Sequence, residues 1–228
     1  MCIRDSSIEA RCQLHAAEAA LRKKYRHIGH EAKPRPRLCI AEGPAQQGSC
    51  LLYTSLLYAT STDDVIKAAF NQAINIQRLI NAGATQFVVP NLPPLGLVPR
   101  LNGSPTTSIP ATKESVLFNQ VLTVGLDIVH DFNRGRHLNL VRLDVFALFN
   151  QIIASPARYS LADVTASSQG IDTIDPDTYL FWDDLHPTTH GHNILALTAA
   201  RVIFPRGCGA RLEAESEAAP TSGAGGRW

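Results

Sequence analysis

The sequence predicts an α/β fold: an incomplete three-layer α/β/α domain, its C-terminal half, with a poorly ordered N-terminal arm and C-terminal tail. Three observations predict it. Apolar residues recur at helical spacing after Ser61, a glycine stops them, and a short β-branched run follows at once. The helix-then-strand order then repeats. Only two strands can be read, too few for a doubly wound sheet, so the missing ones belong upstream. The composition changes there: residues 1–55 hold nine Lys/Arg against five Asp/Glu, and the rest hold twelve against fifteen.

The elements follow in order. Ser61 and Thr62 are N-cap residues, and Asp63 and Asp64 suit the positive end of a helix. Val65, Ile66, Ala69, Phe70, Ala73, Ile76, Leu79 and Ile80 form the apolar stripe, and Gly83 ends the helix. Gln86 to Leu92 reads as a short buried strand. Pro93, Pro94, Pro99, Pro105 and Pro110 mark a long loop. A second helix runs from about Ala111 to His130, with apolar surface from Val116, Leu117, Val121, Leu122, Val124, Leu126, Ile128 and Val129. Leu138 to Val145 is a second strand, and Asp144 caps a short helix that ends before Pro156. Residues 160–177 read as polar loop, followed by a loop at Phe181–His192 and a last helix from about Thr188 to Ile203. The tail from Arg206, rich in Gly, Ala, Glu and Ser, reads as disordered.

With 228 residues and a net charge of +1, the chain suits one domain and gives no reason to expect nucleic acid as a partner. It has no apolar run long enough to span a bilayer, so no transmembrane segment is expected. No signal peptide is expected either, because Cys2, Arg4 and Asp5 stand where an apolar core would. Cys2, Cys12, Cys39, Cys50 and Cys208 match no zinc or redox spacing.

Two strings in the first quarter are not ordinary peptide. The codons ATG TGT ATA AGA GAC AG belong to a transposon end used in sequencing libraries, and they encode Met1–Ser6. The complementary strand, TGT CTC TTA TAC ACA TCT, encodes Cys50–Ser55. The expectation is therefore that 1–55 is a chimeric segment with no native domain, enclosing an inserted fragment at 7–49. A partial domain then covers 56–205, and 206–228 is tail. Ile8 to Ile28 is rich in helix formers. Its cluster Arg22, Lys23, Lys24 and Arg26 reads as a solvated face.

The chemistry concentrates in FWDDLHPTTHGH, Phe181 to His192. A serine esterase needs a base that accepts the serine proton and returns it to the leaving alcohol, and histidine suits this near neutral pH. A carboxylate must orient the imidazole and stabilise its charged form. Asp183 or Asp184 can serve His186, all on one loop. Pro187 can then start the next helix at its first position. A second reading, a metal-binding module, uses His186, His190 and His192, with a carboxylate from Asp183 or Asp184. Pro187 and Gly191 disturb the helix that would align those rings.

The block Phe181-Trp182-Asp183-Asp184-Leu185-His186-Pro187-Thr188 resembles the last motif of the GDSL/SGNH-type serine ester hydrolases, Asp-x-x-His-Pro-Thr after an aromatic pair. The resemblance extends back through Phe87 to Arg100, Phe118 to Leu122 and Leu143 to Thr165, spanning roughly residues 60–204. It looks most like the bacterial secreted lipase/esterase branch. It implies an SGNH-hydrolase-like fold, Asp183 as the catalytic acid and His186 as the base. It also implies no cofactor or metal, a small-molecule or lipid ester substrate, and a secreted or periplasmic parent. The departures are large: the family's Gly-Asp-Ser block, its second-block glycine and its Gly-x-Asn-Asp block do not appear. The expectation is a fragment without nucleophile or oxyanion hole, inactive as given. A non-catalytic binding protein on an SGNH scaffold is the remaining alternative.

Overall fold

The computed structural model describes residues 61–204. The expectations for 1–55 and for the tail from Arg206 lie outside these residues. The chain divides after Ala154 into two compact units.

In the first unit, helix α1 (Thr62–Asn81) begins where its sequence signals place it. The Ser61 hydroxyl accepts from the Asp64 N–H at 3.3 Å. Gly83, at φ +105°, makes the turn into strand β1 (Gln86–Pro90). Val65, Ile66, Ala69, Ala73, Ile76 and Ile80 are buried as expected, but Leu79 is 53% exposed. One residue is about 100° of helix, which carries Leu79 off the face that Ile76 and Ile80 share. Gln77 is buried in its place, and its carbonyl oxygen accepts from the Asn133 side chain at 2.8 Å.

The prolines from 93 to 110 do not make one long loop. A 3-10 turn (Leu95–Leu97) and helix α2 (Pro99–Asn102) are followed by helix α3 (Pro105–Phe132), which starts six residues earlier than expected. Ser104 caps α3, and Pro105 takes a first-turn position, where no N–H is needed. Pro110 is inside the helix. It withholds a donor from the exposed Thr106 carbonyl, which water can satisfy. Gly96 lets the loop lie against α3, since a Cβ there would overlap the Ser108 carbonyl and the Thr112 hydroxyl. Gly96→Ala should therefore cost about 1–3 kcal/mol, read as a lower urea midpoint; an unchanged midpoint would show that the loop yields freely.

Strand β2 (Asn139–Leu143) pairs in parallel with β1, in register from Gln86–Asn139 to Pro90–Leu143. Asn119 of α3 pins the chain leaving β1: its side chain accepts from Leu92 N–H at 2.8 Å and donates to Leu92 C=O at 2.9 Å. The β1 strand is not wholly buried, and Val88 is 44% exposed. Helix α4 (Val145–Ala154) is capped by Asp144, which accepts from Ala147 N–H at 3.0 Å.

The second unit corrects the expectation of loop over 160–177. Strand β3 (Asp163–Ser167) pairs in parallel with strand β4 (Tyr179–Phe181), with an irregularity between Asp163 and Ser167. Helix α5 (Thr189–Ile203) completes the unit. Mixed helix and parallel strand make this an α/β fold, as the sequence predicts.

Candidate active site

Strand β4 is short because the chain turns back at once. Trp182 N–H donates to His186 C=O at 2.8 Å, and Phe181 bridges Pro187 in antiparallel fashion. The reversal is occupied by Asp183, Asp184 and Leu185. Asp183 turns it with one carboxylate oxygen, Oδ1, which accepts from Leu185 N–H at 2.8 Å and His186 N–H at 2.5 Å. The other oxygen, Oδ2, is 2.7 Å from His186 Nδ1.

That geometry assigns the histidine proton. The carboxylate is an acceptor, so Nδ1 carries the hydrogen and Nε2 of the neutral ring presents a lone pair. The His186 side chain is 57% exposed, against 28% for Asp183. The pair is thus a half-buried acid holding an accessible base. Burial pushes the Asp183 carboxyl up, but hydrogen bonds from the His186 amide, the His186 ring and the Leu185 amide, with the His186 charge, outweigh it and hold it below its ordinary value.

The same pattern recurs in this unit. Burial pushes Asp163 up as well, and hydrogen bonds from the Ala166 and Thr165 amides and the Thr165 hydroxyl bring it below its ordinary value. Both groups are lowered, so each stabilises the folded unit above the unfolded carboxylate pKa, about 3.9. That contribution is lost as pH falls through the folded values. The Thr165 and Ala166 amide NMR signals, both bonded to the Asp163 carboxylate, should hold position down to the ordinary carboxylate range and move only below it. Movement centred above that range would contradict the assignment.

Pro187 is not the first residue of α5, as the sequence suggested. Thr188 is the N-cap and Thr189 the first helical residue. The structure also separates the three histidines. His190 Nε2 lies 2.7 Å from the Tyr159 carbonyl, and His192 Nδ1 lies 2.9 Å from the Thr188 carbonyl. Each ring donates to its own acceptor, and no group of three His, Cys, Asp or Glu among the described residues is placed to hold a metal ion.

A groove of about 450 Å³ adjoins the loop, lined in part by Asp175, Asp177, Trp182 and His192. Trp182 stands 44% exposed. Ser168, in the same unit, is 2% exposed with no side-chain partner among the described residues. Thr188 caps α5 by accepting from Gly191 N–H at 3.0 Å, a bond the sequence reading did not give it. An N-cap assignment would have found Thr188, because a threonine two residues after a histidine and three before a glycine fits a helix start.

A family model described as GDSL-like lipase/acylhydrolase matches residues 54–198. An acetylesterase of Thermothelomyces thermophilus is 26% identical over 145 residues, covering 63% of this chain and 45% of that protein. A GDSL esterase/lipase of Arabidopsis thaliana is 24% identical over 158 residues, covering 57% and 42%. Lipase 1 of Photorhabdus luminescens is 23% identical over 209 residues, covering 61% and 32%. The chain spans less than half the length of these curated relatives.

Proposed function

Because the chain belongs to the GDSL-like lipase/acylhydrolase family, we propose that it carries the acid–base part of a serine ester hydrolase site, with Asp183 orienting His186 as the base. The observation that supports this most is the division of labour on Asp183. One oxygen shapes the loop through two amides, and the other holds the ring by Nδ1. Nε2 is then free to take a proton from a serine attacking the ester carbonyl, and to return it to the departing alcohol. The substrate class is a carboxylic ester of a small molecule or lipid, and the parent enzyme is secreted or periplasmic.

The serine is not in this chain in recognisable form. No Gly-Asp-Ser and no Gly-x-Asn-Asp occurs in the sequence, so nucleophile and oxyanion donors are both lacking. The hole that stabilises the developing oxyanion is usually a large part of catalysis. The full chain should therefore hydrolyse no p-nitrophenyl ester above background. Hydrolysis that His186→Ala abolishes would overturn this reading. Residues 1–55 are a chimeric segment, 56–205 a partial hydrolase domain and 206–228 a tail, a division that rests on the two adaptor strings at 1–6 and 50–55. An uninterrupted native gene across the codons for residues 45–60 would sink it.

A further inference from the structure

We propose that Thr188 and Gly191 form a clasp that positions His186; this rests on the reading of Asp183 and His186 given above and adds how their loop is held. The loop has two ends, and the Trp182–His186 and Phe181–Pro187 pairings join them to each other. Thr188 joins them to the rest of the unit. Its N–H donates to Leu180 C=O at 3.0 Å, and its hydroxyl donates to Tyr179 C=O at 2.8 Å. The same hydroxyl accepts from Gly191 N–H at 3.0 Å.

A hydroxyl has one proton and two lone pairs, and here the proton goes to the strand and a lone pair to the helix. One side chain thus links β4, before the loop, to α5, after it. Thr188 is 2% exposed, so water cannot replace either bond. Gly191 sets how closely the helix approaches. A Cβ there would lie 2.9 Å from the Leu180 carbonyl oxygen and 2.9 Å from Pro187 Cβ. Displacing Pro187 displaces the residue bonded to it, His186. Thr188 and Gly191 are positioning residues, acting on His186 through the backbone.

The test uses the full chain and two NMR readouts: the tautomer of the His186 ring, and hydrogen exchange at the Trp182 amide. Thr188→Val and Gly191→Ala should each replace the Nδ1–H form by mixed tautomers and speed Trp182 exchange roughly tenfold or more, as loss of a local hydrogen bond does. Thr188→Ser, which keeps the hydroxyl, should preserve both. Unchanged amide signals over Asp163–Ser167 and Ile194–Ile203 would show that the second unit still folds. If Thr188→Val leaves tautomer and exchange as they were, the clasp is overturned. If that variant does not fold, Thr188→Ser decides: a serine chain without the Nδ1–H form and slow exchange overturns it too. Asp183→Asn separates the two readings. If it leaves the tautomer unchanged while Thr188→Val still speeds exchange and Thr188→Ser does not, the role of Asp183 falls and the clasp stands.

Discussion

Asp183→Asn will lower kcat by about 10⁴-fold in a chain that carries the family's serine and oxyanion blocks upstream of residue 56. The size of the loss follows from what an amide does in place of a carboxylate. Asparagine can keep its carbonyl oxygen toward the Leu185 and His186 amides, preserving the turn that Oδ1 makes. Its NH₂ then faces His186 Nδ1 where Oδ2 stood, 2.7 Å away. A donor there favours the tautomer with bare Nδ1 and protonated Nε2, which cannot accept the serine proton. The charge that stabilises the imidazolium is lost as well. Asp184→Asn is the control, since the carboxylate against His186 Nδ1 is that of Asp183, and it should leave kcat near the parent value. Measuring kcat on a p-nitrophenyl ester decides the point: an Asp183→Asn enzyme within tenfold of its parent would mean that Asp183 shapes the loop without orienting the base.

The Asp183–His186 pair was legible because it is local. Three residues separate the partners, and a turning carboxylate needs no help from distant chain to reach the ring. Helix α1 was legible for a related reason: Ser61, the apolar stripe and Gly83 each act within one or two turns. The failures share the opposite cause. Strand β3 reads DVTAS and buries only Val164 well, so its polar residues hide it until β4 supplies a partner. Strand β4 has three residues, too few for a period to show. Helix α3 begins under prolines that mark loops in isolation, and its start is decided by Ser104 and by contact with Gly96. Thr188 matters through Tyr179 and Leu180, whose position depends on the strand pairing.

Phe181→Ala should destabilise the second unit by about 3–5 kcal/mol, the usual cost of deleting a buried aromatic ring. Leu180 and Phe181 are consecutive and both 0% exposed. Neighbouring strand residues point to opposite faces, so β4 is buried on both, as parallel strands are. Removing the fully buried Phe181 ring deletes its packing contacts and leaves a void in the core of the unit. Trp182→Ala, one residue on, removes a larger ring that is 44% exposed, and it should cost far less. The loss at Phe181 is also a large fraction of what a domain has in reserve, about 5–15 kcal/mol. It should reach the site before global unfolding, because Phe181 bridges Pro187 and its carbonyl accepts from Ser168 N–H at 3.0 Å. Urea denaturation gives the first quantity, and exchange at the Trp182 amide gives the second. Equal costs for Phe181→Ala and Trp182→Ala would show that β4 does not anchor the Asp183–His186 loop.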